Sequence, residues 1–225
     1  MTEHLVDVSF MPENTRAVFN ELSAHKFISR FTLVGGTALS IQIGHRLSED
    51  LDYIFDGEKI NSAAIKKHIA DVFPDHKIIR QDNGWQIDFL INGSKLTFFS
   101  TGSIALPMVV KDSSFSYKTM KICTAKTIAS LKMSAIAQRN TMRDYYDLYY
   151  LSKHVYPLEE IIRQTRGCIP NLSPITYTET LVYTDDIEDG SMQDHLFPKE
   201  NVTKYQIAEF FVEELKKIKD RLGDG

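Results

Sequence analysis

At 225 residues, 43% of them hydrophobic and 25% charged, the chain has an ordinary globular composition and length for one large domain or two small ones. A net charge of −4 argues against generic nucleic-acid binding. No apolar run is long enough to span a bilayer, Met1 to Val8 lacks the pattern of a signal peptide, and Cys123 and Cys168 lack the spacing of a disulfide framework or zinc site; a cytoplasmic location is expected.

Glu13 to Lys26 follows Pro12 with Val18, Phe19 and Leu22 on one side, which predicts a helix. Phe31–Val34 reads as a buried strand, Thr37–Gly44 as a helix opening at the Gly35-Gly36 turn, and Leu51–Phe55 as a second strand. Ser62–Phe73 is an amphipathic helix stopped by Pro74, and Lys77–Arg80 a further strand. Trp85–Ile91 and Lys95–Ser100 flank Asn92-Gly93, a pair that supplies the positive φ angles a two-residue hairpin demands. Strands and helices thus alternate to about residue 100, which predicts a mixed sheet with flanking helices. Pro107–Thr124 reads as an extended connection.

The composition then turns helical. Ala125–Arg139 and Arg143–His154 carry apolar stripes, Pro157–Arg166 opens with Pro and acids in its first turn, Asn171–Glu188 is ambiguous, and Thr203–Leu222 has the strongest helical period. The expectation is an α+β chain, a mixed-sheet domain over residues 1–120 followed by a helical bundle over 121–225. From Lys111 to Asp144 the segment carries a net charge of +5 on an otherwise acidic chain, a local basic surface able to meet a polyanion. Read alone, the same lysines are ordinary solvated residues.

Two features carry chemistry. Gly35-Gly36 lies between a strand and a helix, where backbone N–H groups unscreened by side chains bind phosphate oxygens. Thr37 could add a hydroxyl, and Arg46 and Ser48 could touch a triphosphate. Asp50 and Asp52, two apart at the second strand, are expected on one face. Acids among Leu51, Tyr53, Ile54 and Phe55 cost desolvation energy unless a cation compensates. Paired carboxylates beside a glycine turn suit Mg²⁺ with a nucleoside triphosphate.

Lys132, within an apolar helix, would either snorkel to solvent or act as a point charge on phosphate. Arg139 is expected two turns along the same face. Arg143 and Asp147 have the spacing of a surface ion pair, with Asp144 beside them. Asp185–Gly190 fails the calcium-loop spacing, and the seven histidines show no ligand pattern.

Taken together, Val34-Gly-Gly-Thr-Ala-Leu39, His45-Arg-x-Ser-x-Asp-Leu-Asp-Tyr53, the lysine helix Ala129–Arg139 and Arg143-Asp-Tyr-Tyr-Asp-Leu148 resemble the signature of the AbiEii/AbiGii-type toxin nucleotidyltransferases, over about residues 30 to 152. The resemblance implies a DNA-polymerase-β-like nucleotidyltransferase fold and transfer of NMP from an NTP, with one or two Mg²⁺ at Asp50 and Asp52. It implies a nucleotide site of Gly35, Gly36, Thr37, Arg46, Ser48, Lys132, Arg139 and Arg143. Lys132, Asp144 and Asp147 would support catalysis, tRNA or other RNA would be the acceptor, and a winged-helix antitoxin the partner.

One position departs from the fold's usual pattern. A third acid is expected on a later strand, and Thr97 stands there. Asp88 or an acid of the helical part would replace it, or the chemistry is weakened. The alternatives are a nucleotide- or antitoxin-binding module without chemistry, and a nucleotidyltransferase acting on small molecules.

Overall fold

The computed structural model describes residues 5–103, 110–169, 174–187 and 196–223. The chain forms two compact units, Met1–Thr127 and Ile128–Gly225. The start of the Pro107 segment, part of the Asn171–Glu188 stretch and half of the rejected calcium-loop candidate Asp185–Gly190 lie outside the described residues.

The first unit is built on a mixed seven-stranded sheet: β1 (Thr32–Val34), β2 (Leu51–Phe55), β3 (Lys77–Gln81), β4 (Gln86–Ile91), β5 (Ser94–Ser100), β6 (Ser114–Tyr117) and β7 (Met120–Cys123). Their order is β3-β4-β5-β2-β1-β7-β6. β2 runs parallel to β5 and β1 parallel to β7, and the remaining neighbours are antiparallel. Around the sheet lie α1 (Glu13–Leu22), α2 (Gly35–Ile43) and α3 (Ser62–Val72).

The β4–β5 hairpin turns on Asn92 at φ 51° and Gly93 at φ 79°, the left-handed pair its sequence requires. The stretch expected to be a connection instead contains the β6–β7 hairpin, and β7 pairs with β1 in the interior of the sheet. Its strands are four residues each, too short for period-two alternation to stand out.

Register divides the sheet into two faces. Leu33, Tyr53, Phe98 and Ile87 stand opposite one another across β1, β2, β5 and β4. Tyr53 stacks on Phe98 with ring centroids 5.6 Å apart, and Phe31 meets Phe98 edge-on at 4.9 Å. Ile65 and Ile69 of α3 and Val18, Phe19 and Leu22 of α1 are buried, so apolar burial drives this half. The other face carries the row Val34, Asp52, Thr97 and Asp88.

The second unit is helical. α4 (Ala125–Ile136) carries on across the division between the units, and α5 (Met142–His154), α6 (Leu158–Cys168), α7 (Pro174–Val182) and α8 (Lys204–Gly223) follow. α5 and α7 both pack on α8. Tyr149 meets Phe210 edge-on at 5.0 Å. The Tyr145 hydroxyl donates to the Thr180 carbonyl at 2.5 Å, and Lys204 Nζ donates to the Ile187 carbonyl at 2.7 Å. Glu200 gathers Tyr149 Oη and Lys153 Nζ at 2.8 Å each, tying the end of α5 to the segment before α8. No helix among the described residues is long and apolar enough to cross a membrane.

Candidate active site

In the first unit the glycine turn, Asp52, Arg46 and Ser48 meet. Gly35 takes φ +74°, and a Cβ there would lie 2.9 Å from Asp52 Oδ2. A Cβ on Gly36 would lie 2.5 Å from Arg46 Nη2 and 3.0 Å from Ser48 Oγ. The two glycines therefore let the backbone approach a carboxylate on one side and a guanidinium on the other, with the first N–H groups of α2 between. Arg46 is buried, and its Nη1 donates to the Leu47 carbonyl at 2.8 Å.

Asp52 stands opposite Val34 at the end of β1, and Asp50 lies one residue before β2 begins. Two threonines hold that approach. Thr37 donates its hydroxyl proton to the Asp50 carbonyl and lies 2.9 Å from Ser48 Oγ. Thr15 donates to the Glu49 carbonyl at 2.9 Å. Thr37, expected as a phosphate donor, thus commits its proton to positioning the aspartate segment. Thr15 was not among the expected residues, because a lone threonine in an amphipathic helix carries no local signal.

Thr97 pairs in register with Asp52 on one side and Asp88 on the other. It is 4% exposed, and its Oγ1 has no hydrogen-bond partner among the described residues. Asp88 accepts from Gln86 Nε2 at 2.8 Å, and Lys95 Nζ stands 3.4 Å from its other oxygen. The one acid on β4 is thus engaged by its own hairpin.

The second unit holds the other expected residues. Lys132 is 6% exposed and does not snorkel: its Nζ lies 2.6 Å from Asp144 Oδ1 and 2.5 Å from Asp147 Oδ2. Arg139 Nε donates to Asp144 Oδ2 at 2.9 Å and the Thr141 hydroxyl to the same oxygen at 2.7 Å. Burial pushes the Asp144 carboxyl up, but Lys132 and Arg139, with hydrogen bonds from Lys132 and Thr141, outweigh it and hold it below the usual carboxylate range. α4 ends at Ile136, so Arg139 reaches Asp144 from beyond the helix rather than two turns along its face. Arg143 is exposed, whereas Asp147 is buried against Lys132. Two buried carboxylates sharing one ammonium form a preorganised cluster.

The donor set also suits the metal implied by the family resemblance. Mg²⁺ keeps several waters and takes one or two protein carboxylates plus substrate phosphates. Asp52 beside a backbone cradle that any Cβ would fill, with Asp50 nearby in sequence, matches that demand. Bound there, the ion would neutralise charge developing on the phosphates.

A mixed sheet with a glycine turn facing a carboxylate is the architecture of a nucleotidyltransferase, and comparison with known proteins agrees. Residues 16–200 match the family described as nucleotidyl transferase AbiEii toxin, type IV TA system. An uncharacterized protein of Aquifex aeolicus (strain VF5) is 31% identical over 190 residues, 83% of this chain and 86% of that protein. A Helicobacter pylori crystal structure described as a nucleotidyltransferase superposes with a TM-score of 0.54 at 17% identity, covering 95% of this chain and 98% of that one. The Mycobacterium tuberculosis H37Rv nucleotidyltransferase toxin MenT4 superposes with a TM-score of 0.53 at 12% identity, over 91% and 88% of the two chains. At such identities these two likenesses establish the fold alone. The chain belongs to the AbiEii nucleotidyltransferase toxin family and is a nucleotidyltransferase.

Proposed function

We propose that this enzyme transfers NMP from an NTP to RNA, tRNA being the favoured acceptor, in a Mg²⁺-dependent reaction, and that a winged-helix antitoxin restrains it. The observation that carries the reading is the approach of Gly35 to Asp52 and of Gly36 to Arg46, which sets phosphate-binding N–H groups beside a carboxylate and a cation. An acceptor hydroxyl oxygen forms its bond to the α-phosphorus as the bond to the bridging oxygen of the β-phosphate breaks. Pyrophosphate leaves, and the hydroxyl proton passes to a base.

In this reading Asp50 and Asp52 hold Mg²⁺. The N–H groups of Gly35 and Gly36, with Arg46 and Ser48, receive the triphosphate. Lys132, Asp144, Asp147, Arg139 and Arg143 are assigned the part in catalysis and nucleotide binding that the family resemblance implies. The +5 segment from Lys111 to Asp144 supports a polyanionic acceptor. A small-molecule acceptor draws no support from that charge.

The test is incubation with each α-labelled NTP, Mg²⁺ and total cellular RNA, beside Asp52→Ala. Label in tRNA-sized RNA with the unaltered protein alone supports the reading. Labelling that survives Asp52→Ala overturns the role of the carboxylate, and label confined to low-mass acceptors overturns the RNA assignment.

A further inference from the structure

A cavity of about 430 Å³ opens in the first unit where α3 begins, at the other end of β1 and β2 from the glycine turn. Phe31 precedes β1 and Phe55 ends β2, whereas Gly35 and Asp52 lie at the opposite ends of those strands. Phe55 lies three positions after Asp52, roughly 10 Å along the strand, and the odd spacing places their side chains on opposite faces. The cavity is thus distinct from the candidate active site.

Its walls combine two chemistries. Phe27 lies parallel to His68, ring centroids 4.8 Å apart and planes 6° from coplanar, and Phe31 packs on Phe55 at 5.9 Å. Lys26, Arg30 and Lys59 also line it, and no Asp or Glu does. Lys26 and Arg30 are exposed and form no ion pair among the described residues. Lys59 Nζ lies 5.8 Å from the centroid of Trp85, the one tryptophan in the chain. Asn61 spends its Oδ1 on the Ala64 N–H at 3.0 Å, which leaves its amide NH₂ for an acceptor on a ligand.

Rings without cations would suit a purely apolar ligand, and cations without rings would suit any anion. Together, in a space of this volume, they select a planar heterocycle joined to a phosphate. We propose that the cavity is a second binding site for a nucleoside phosphate, its base against the aromatic wall and its phosphate at Lys26, Arg30 and Lys59. The ligand is either a free nucleotide or one unit of a single-stranded RNA. The assignment stands apart from the transfer reaction and does not need it.

The probes are AMP, a five-nucleotide oligoadenylate and inorganic phosphate, titrated into the full chain in EDTA and followed by Trp85 fluorescence. EDTA and an Asp52→Ala background keep the metal-dependent site out of the measurement. AMP or the oligomer should bind in that background, and Lys26→Glu/Arg30→Glu should weaken binding at least 10-fold without moving Tm, since both side chains are exposed. Phe27→Ala should weaken it separately. AMP and the oligomer binding alike identifies a free-nucleotide site. The oligomer binding at least 10-fold more tightly identifies an RNA subsite. Either result upholds the proposal. No binding, binding indifferent to the charge reversal, or phosphate competing as well as AMP overturns it.

Discussion

Gly35 and Gly36 are adjacent in sequence, yet their replacement by alanine should fail in different ways. At Gly35 the backbone is left-handed, and a Cβ would meet Asp52 Oδ2 at 2.9 Å. The conformation alone costs about 1–2 kcal/mol for an L side chain. Gly35→Ala should therefore lower Tm by roughly 2–8 °C, at about 2–4 °C per kcal/mol for a chain of this size. At Gly36 the backbone is not left-handed, and the 2.5 Å clash is with Arg46 Nη2, the far end of a flexible side chain. Alanine also has about 1 kcal/mol better helix propensity than glycine. Gly36→Ala should lower Tm by no more than Gly35→Ala does, the propensity gain offsetting part of the cost of moving buried Arg46, yet it fills the cradle and turns Arg46 away. A misplacement near 1 Å at a reacting centre costs about 100-fold. Transfer by both variants should fall by about that factor, measured as kcat/KM with labelled NTP and checked against Tm by scanning calorimetry. Undiminished transfer by Gly36→Ala would refute the claim that this turn receives the triphosphate.

Thr97→Val removes a buried hydroxyl without a described partner at nearly constant shape, relieving about 1–3 kcal/mol; Tm should rise with transfer retained, and loss of transfer would place that hydroxyl in the reaction. Lys132→Met leaves Asp144 and Asp147 buried without the ammonium between them, so a loss of about 3–5 kcal/mol is expected in urea titration. Asp144 has a folded-state pKa below its unfolded value, so its contribution is full above about pH 4 and is lost as pH falls through the folded value. Asp144→Asn should flatten that acid limb of the stability curve; an unchanged limb would deny the cluster its role. EDTA should abolish transfer and Mg²⁺ restore it; transfer indifferent to EDTA would remove the metal assignment from Asp50 and Asp52.

The glycine turn and the second strand were legible because each is local: a strand, two glycines, and acids set among apolar residues. The β4–β5 hairpin was legible for the same reason, since Asn92-Gly93 declares its own turn. β7 was not, because its place beside β1 is set by pairing across some ninety residues of chain, which no window of sequence displays. Burial of Lys132 was hidden too, because the compensating Asp144 and Asp147 reach it from the next helix. Thr37 was read by type as a phosphate donor, and only the fold reveals the Asp50 carbonyl that takes its proton.

Parallel pairing of β1 with β7 has a consequence for biosynthesis. The strand preceding the glycine turn is complete by Val34, but one of its two neighbours, β7, begins at Met120. Until that segment leaves the ribosome, β1 presents an open edge and the sheet is unfinished. Closing so long a loop is slow compared with forming the local hairpins. A nascent chain therefore carries the glycine turn and both aspartates well before the scaffold that holds them is closed. For a toxin this delays competence until synthesis has passed Cys123, the last residue of β7.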